Sequence, residues 1–351
     1  MIIRSSAHAR AGLLGNPSDI YGGKVISFLI TNFAAQVRLW ESPHLTFRLH
    51  PDHDRTEFAD LRDFVSTVRR HGYYGMQRLL FATCTRFASY CESRGITLPK
   101  KNFTLEYETT IPRQSGLGGS SAMIIAALRA LLRFYRVPGD TLAPGELAEL
   151  ALSVERGELG IAAGLQDRVV QAYGGIVYMD LSGKRARYQP MDSALLPRFG
   201  VAYLTQQTGM EESGRVHATV RSRWEMGDPE VSRVMREVAS LADRGRAALK
   251  QRDYGELGRL MNRNFDLRRG LFGDQALGEH TIALVEIARE LGFPSKLPGS
   301  SGAALILLDW PGARGRGERA AASAAEVADA ARRLSDAYAA RGYAFVAVRG
   351  H

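Results

Sequence analysis

The first fifty residues alternate short apolar runs with glycine, asparagine and proline. This is a pattern of strands and turns: Ile2-Ile3, Gly12-Leu13-Leu14, and residues 25–30, 35–39 and 45–49. The period then lengthens. Residues 60–70 and 74–94 carry apolar positions at helical spacing, the second on Leu79, Leu80, Thr83, Phe87 and Tyr90, so two helices are expected. Residues 103–109 alternate again like a half-buried strand and lead into a glycine-rich turn. A long apolar helix is expected over 120–135, stopped by Pro138-Gly139-Asp140. Helices over 144–156 and 165–172 follow, and Gly174-Gly175 precedes a strand over 176–180.

Beyond Pro197 a strand at 200–204 gives way to helical patterns at 214–224, 230–250, 254–269 and 279–291. A turn at 299–302, a buried strand at 303–308, an Ala-rich amphipathic helix at 321–341 and a strand at 343–348 complete the series. Strands and helices in this mixed order, without alternating βαβ units, predict an α+β fold. The change from strand-rich to helical material, with Pro190 and Pro197 beside it, places a domain boundary near residue 190, giving domains 1–190 and 191–351. No internal repeat is visible.

With 351 residues, 45% hydrophobic and 24% charged, the chain has the material of a substantial core. No apolar run approaches the ~18–20 residues of a membrane crossing, so no membrane partner is expected. The first ten residues carry charge and no apolar run ending in a small-residue cleavage site, and a cytoplasmic protein is expected. The net charge of +9 raises the question of nucleic acid. Only six of the 46 basic residues are lysine, however, and they are scattered rather than gathered into one block, so no nucleic-acid partner is expected. Cys84 and Cys91 lie two helical turns apart, roughly 10 Å along an axis, too far for a disulfide; two buried thiols are expected.

The richest chemistry lies in Ile111-Pro112-Arg113-Gln114-Ser115-Gly116-Leu117-Gly118-Gly119-Ser120-Ser121-Ala122-Met123. A glycine and serine turn feeding a helix gathers free backbone N–H groups at the positive end of the helix dipole, a cradle for phosphate. The Walker pattern needs a Lys before its Ser or Thr, and Ser120-Ser121 follows Gly119 with none, which excludes an ordinary P-loop. A dinucleotide fold wants a third glycine where Ser121 stands and an acid at the end of a second strand, whereas Asp140 follows a helix. Gly118 to Ala122 comes within one residue of a hydrolase nucleophile elbow, but residues 112–116 intervene where a strand must lead directly in. A helix capped by Ser behind a glycine turn explains the same residues without any ligand.

Residues 116–122, preceded by Pro112, resemble the second motif of the galactokinase, homoserine kinase, mevalonate kinase and phosphomevalonate kinase (GHMP) superfamily. Two more segments fit in the right order. The stretch from Ala9 and Arg10 through Gly15, Asn16, Asp19 and Tyr21 resembles the first motif, and Lys296-Leu297-Pro298-Gly299-Ser300-Ser301-Gly302 resembles the third. Residues 12–21, 111–114, 158–161, 164–168 and 265–269 look most like the plant type of glucuronokinase. Asn16 stands where many sugar kinases of the superfamily have Glu, an exchange glucuronokinases share, and Ser300 and Ser301 replace common glycines. The resemblance implies the GHMP kinase fold, with an N-terminal domain like domain 2 of ribosomal protein S5 and a ferredoxin-like C-terminal domain. It also implies ATP held by Pro112, Gly116, Leu117, Gly118, Gly119, Ser120, Ser121, Ala122, Gly299, Ser300 and Gly302.

Phosphoryl transfer needs Mg²⁺ held by hard oxygen and a group that prepares the attacking hydroxyl. Glu155 and Asp167 are the candidates. Twelve residues apart on one helix they would lie about 18 Å apart and roughly 120° around the axis, so the chain must break between them, and Gly157, Gly160 and Gly164 supply the break. A surface Glu and a helix-capping Asp is the plainer alternative. By resemblance, Glu155 and Ser121 hold Mg²⁺, and Asp167, with Arg10, is catalytic. Arg10 would steady Asp167 or the γ-phosphate. Asn16, Asp19, Tyr21 and Arg168 would bind substrate, with Arg113, Lys24 and Arg168 the candidates for a substrate carboxylate.

The expected activity is an ATP-dependent sugar kinase, transferring phosphate to the anomeric hydroxyl of D-glucuronate and giving 1-phospho-D-glucuronate and ADP. Its rivals are a kinase of galacturonate, galactose, fucose or a heptose phosphate, and a catalytically silent binding or regulatory protein on the same scaffold.

Overall fold

The computed structural model describes the chain except residues 52–53, 55, 66–74, 138–141, 206–212, 311–321 and 350–351, and the backbone alone of 213–218. The expected helix stop at 138–140 lies outside the described residues, as does most of the second half of the helix expected at 60–70, of which 61–65 are helical. The chain packs into two compact units that are discontinuous in sequence. Met1–Ala9, Phe33–Ile111 and Gly118–Tyr173 make the first; Arg10–Asn32, Pro112–Leu117 and Gly174–His351 make the second. This grouping by packing is of another kind than a single cut near residue 190.

Strand β1 (Ile2–Leu14) pairs with β2 (Lys24–Ser42), so the short apolar runs of the N-terminal segment join into two long strands. In the first unit, β2 from Ala35 to Ser42 pairs antiparallel with β4 (Asn102–Thr109), placing Leu39 opposite Leu105, and the short β3 (Thr46–Phe47) lies parallel to β4. Helix α1 (Met76–Ser93) buries Leu79, Leu80, Thr83, Phe87 and Cys91, one face at a period of 3.6. Cys84 and Cys91 are both free thiols. Helix α2 (Gly119–Phe134) is buried from Ser121 through Leu128 without a polar face, as its apolar run demands. It packs with α1, with α3 (Pro144–Ser153) and with α4 (Gln166–Tyr173).

In the second unit β2 from Lys24 to Phe28 pairs with β5 (Ile176–Asp180), all five residues of which are buried, and β5 pairs with β6 (Arg187–Met191). Strand β6 is exposed and carries Pro190, which an edge strand tolerates because one side of its backbone has no ladder to join; its polar composition gave no strand signal. A four-stranded antiparallel sheet runs in the order β10 (Tyr343–Ala347), β7 (Phe199–Leu204), β9 (Ala303–Leu307), β8 (Ser295–Lys296). Helices α5 (Ser213–Glu225), α6 (Pro229–Gln251), α7 (Tyr254–Phe272), α8 (Asp274–Leu277), α9 (Glu279–Glu290) and α10 (Ala324–Ala339) belong to the same unit. Their starts are written in the sequence: Asp228 caps α6 ahead of Pro229, Asp253 caps α7, and Ser323 with Glu326 forms a capping box on α10. Among the described residues no helix is long and apolar enough to cross a membrane.

Candidate active site

In the first unit, α2 begins one residue earlier than its pattern suggests, with Gly118 in the left-handed region (φ 76°) as N-cap and no side chain capping the helix. The purely structural alternative, a serine cap, is therefore not what forms. The Ser121 hydroxyl turns back and donates to the Gly118 carbonyl (3.0 Å), which also accepts from the Ala122 amide (3.0 Å) and from Gln171 Nε2 (2.9 Å). The carbonyl that opens the helix is thus held, while the first turn carries no acidic side chain to answer its positive end.

The expected break after Glu155 is a π-helical turn, Val154–Glu158, and just beyond it the Ile161 amide donates to the Glu155 carbonyl (2.8 Å) across six residues, closing off the helix. Arg86 fixes this turn from α1, donating from Nε to Ser153 (2.9 Å) and lying 3.8 Å from Glu158. The chain then runs without helix until α4, in whose first turn Asp167 stands. Arg168 connects the two acids. Its guanidinium forms a buried ion pair with Glu155, lies 3.8 Å from Asp167 and donates to the Gly164 carbonyl (2.7 Å). Arg168, expected to meet substrate, is 4% exposed, and Asp167 is the more open of the two acids, its side chain 20% exposed against 6% for Glu155.

In the second unit the first and third motifs are tied together by buried polar side chains. Arg10, 5% exposed, donates from Nη1 to the carbonyls of Gly116 (2.5 Å) and Pro298 (3.1 Å), and the Gly12 amide donates to Pro298 as well (2.8 Å). Asn16, expected to bind substrate, is 3% exposed and has both ends of its amide in use: Oδ1 accepts from Lys296 Nζ (2.5 Å) and Nδ2 donates to the Leu297 carbonyl (3.2 Å). Lys296 also donates to the carbonyls of Gly12 (2.8 Å) and Leu297 (2.7 Å). Burial, with Arg268 and Arg10 nearby, holds its ammonium well below the usual lysine pKa. Asn264 clasps the same turn, accepting from the Gly15 amide (2.9 Å) and donating to the Asn16 carbonyl (2.9 Å).

Gly116 (φ 63°) lies directly against the third motif: a methyl group on Gly299 would stand 1.9 Å from the Gly116 carbonyl oxygen. Only a residue without a side chain fits there. Asp19 and Tyr21 sit in the 3₁₀ turn Ser18–Tyr21, with the Tyr21 ring edge-on to Trp224 (5.5 Å). Burial pushes the Tyr21 hydroxyl up to about 12 against the pull of Arg221 and Arg268. Tyr21, Lys24, Trp224, Arg236 and Asp243 help line a cleft of about 470 Å³. Lys24, one of the residues considered for a substrate carboxylate, is paired with Asp243 at 2.8 Å.

Comparison with known proteins places this geometry. The family model described as GHMP kinases N terminal domain matches residues 80–175, and that described as GHMP kinases C terminal matches residues 246–340. "Probable glucuronokinase 2" of Arabidopsis thaliana is 47% identical over 312 residues, covering 87% of this chain and 84% of its own. The chain belongs to the GHMP kinase family. "Glucuronokinase 1" of the same plant is 46% identical with the same coverage. Among solved structures, Lactococcus lactis galactokinase complexed with galactose superposes with a TM-score of 0.73 at 16% identity, over 99% of this chain and 93% of that one. Methanococcus jannaschii mevalonate kinase gives 0.68 at 18%, over 100% and 98%. The fold is that of the GHMP kinases, and this GHMP kinase is a phosphotransferase that uses ATP.

Three side chains of this GHMP kinase had no role in the sequence reading: Lys296, Asn264 and Arg268. A signal was present for the last two. On α7 the buried positions include Leu257, Leu260, Met261, Asn264, Phe265, Arg268 and Leu271, so an amide and a guanidinium interrupt an apolar stripe at i and i+4. Polar groups on a buried face have partners, and here the partners are the two glycine-rich motifs.

Proposed function

We propose that this GHMP kinase acts in the cytoplasm and phosphorylates D-glucuronate at its anomeric hydroxyl, using Mg·ATP and releasing 1-phospho-D-glucuronate and ADP. The observation that carries this reading is identity of 46–47% with two plant glucuronokinases over 87% of the chain. In the first unit, the uncapped N-terminus of α2 offers the amides of residues 119–121 to phosphate, with Ala122 closing the first turn and Gly118 ending the loop that leads into it; Pro112 and Leu117, earlier in that loop, belong to the second unit. Asp167 accepts the hydrogen bond of the acceptor hydroxyl and so aims its oxygen at the γ-phosphorus. In the second unit, Gly116 and residues 299–302 contact the triphosphate, Arg10 holds both of those segments, and Asp19 and Tyr21 meet the sugar.

Mg²⁺ is bound in kinase sites by one or two protein oxygens together with phosphates and water. The absence of any group of three or more His, Cys, Asp or Glu among the described residues therefore does not count against it. Ser121 and Glu155 suit the ion: both are buried oxygen donors of the first unit, and the ion pair with Arg168 requires Glu155 in the charged form that ligates. When bound, Mg²⁺ neutralises charge on the triphosphate. In the transfer, the anomeric oxygen forms its bond to the γ-phosphorus as the bond to the β,γ-bridging oxygen breaks, ADP leaves with that electron pair, and the hydroxyl proton departs along its hydrogen bond to Asp167. Position and charge neutralisation supply most of the rate.

The test is a coupled ADP-release assay with glucuronate, galacturonate, galactose, fucose and a heptose phosphate, with ³¹P NMR of the product. Glucuronate is expected to give the highest kcat/KM and an anomeric phosphate. A higher kcat/KM with another of these sugars overturns the assignment of substrate.

A further inference from the structure

Arg268 is 3% exposed, and neither of its hydrogen-bonded nitrogens faces a carboxylate: Nη1 donates to the Gly299 carbonyl (2.5 Å) and Nη2 to the Ser300 carbonyl (2.6 Å). Its Nε is buried without a hydrogen-bond partner. The preceding carbonyl, of Pro298, is taken by Arg10. Three consecutive carbonyls thus point at two arginines. In a trans peptide the N–H lies opposite the C=O, so the N–H groups of Ser300 and Ser301 point away from Arg268, and that of Gly299 away from Arg10. Successive N–H groups presented on one side form the backbone arrangement that receives anions. Gly116 packs against this segment without a side chain: a methyl there would stand 2.7 Å from the Ser301 carbonyl oxygen and 3.0 Å from the Ser300 nitrogen.

The charge points the same way. Arg268 and Arg10 are buried guanidinium groups whose field also reaches Lys296, and every hydrogen bond made by Lys296 and Arg268 goes to a neutral oxygen. Asp19 and Tyr21 also lie in the field of Arg268. One acid facing two buried arginines leaves the cluster positive, and a positive cluster in low dielectric attracts an anion strongly.

We propose that Arg268 is a positioning residue of the phosphotransfer site: it turns the peptide groups of residues 299–301 so that their N–H groups, backed by its charge, hold the phosphate chain of the nucleotide. This rests on the assignment of residues 299–302 to the triphosphate made above. Arg268 acts through the backbone and touches neither sugar nor nucleotide.

The experiment compares wild type with Arg268→Lys and Arg268→Gln, using three probes: a non-hydrolysable ATP analogue with Mg²⁺, tripolyphosphate alone, and adenosine alone. Arg268→Gln is expected to weaken the analogue and tripolyphosphate about tenfold or more and to leave adenosine within about twofold. Arg268→Lys should fall between, because it keeps the charge but reaches one carbonyl rather than two. Equal losses for adenosine and the phosphates show a merely structural residue and overturn the inference, as does the absence of any loss. Wild type labelled with ¹⁵N-serine separates the two layers and needs no variant to fold. Ser300 and Ser301 amides that ignore tripolyphosphate overturn both the assignment of the segment and the role of Arg268. Amides that respond, with Arg268 variants that bind tripolyphosphate as wild type does, overturn the role of Arg268 alone.

Discussion

The guanidinium of Arg168 closes on the carboxylate of Glu155, thirteen positions earlier in the chain, and both side chains are almost wholly buried. The contact exists because the helix that carries Glu155 widens into a π turn and ends, letting α4 return beside it. A buried pair is poor evidence of net stability, but removing one partner strands the other's charge. Arg168→Met is therefore expected to cost about 3–5 kcal/mol. Arg168→Met combined with Glu155→Gln should recover part of that loss. Urea unfolding of the two single variants and the double variant checks this, and additive losses would show that the pair is not coupled.

Asp167 stands on the same return but is more open. Asp167→Asn keeps the shape and removes the charge, so turnover should fall by about 10²–10⁴, while the affinity for an ATP analogue stays within about threefold of wild type. Turnover and nucleotide binding measured on one preparation decide the matter. Undiminished turnover, or equal losses in both, contradicts the role given to Asp167.

The break between those acids was legible from Gly157, Gly160 and Gly164, residues poor in a helix, and the phosphate cradle from glycines placed before a long apolar run. The type of break was not legible, because a π turn differs from an α-helical one only in hydrogen bonds that span five residues instead of four, and no residue pattern marks that change. Strand β6 was missed for a related reason: an exposed edge strand has no buried face to impose alternation. The network around Asn16 was hidden differently. A side chain that serves a ligand and one that serves a neighbouring carbonyl look alike in sequence, and only the positions of Lys296 and Leu297 show that both ends of the Asn16 amide are occupied. Arg268 needed both views, its polar character on a buried stripe and the carbonyls that it meets.

The contact between Gly116 and Gly299 gives a steric prediction. In Gly299→Ala the new methyl would meet backbone at 1.9 Å, a distance no rotamer change relieves, so the two segments must separate. Overpacking of this kind costs about 1–3 kcal/mol, and displaced peptide groups should cost turnover more than stability. A drop in kcat/KM for ATP of about 10²-fold, with a melting temperature lowered by a few degrees, is expected. Gly157→Ala, where a methyl meets nothing within 4 Å, is the comparison that should leave the melting temperature nearly unchanged.

Asp180, 5% exposed at the end of β5, gives a prediction about acid. Burial pushes its carboxyl up, but the Ser182 hydroxyl (2.6 Å), the Ser182 amide (3.1 Å) and Arg187 (2.7 Å) all favour the ionised form and together hold the pKa at about 2. An unfolded aspartate titrates near 3.9. The folded value is the lower, so the unfolded chain binds the proton first and stability falls as the pH drops. The full contribution is present above about pH 5, roughly half remains at pH 3, and it vanishes below about pH 2. Arg187 is itself largely exposed, which screens its share, and a contribution of about 1–2 kcal/mol at pH 7 is expected. Unfolding by urea at pH 7, 4 and 3 should show Asp180→Asn less stable than wild type by that amount at pH 7, with the gap narrowing toward pH 3. A gap that stays constant from pH 7 to pH 3 would mean that Asp180 contributes through its shape and hydrogen bonds alone, with no share from its charge.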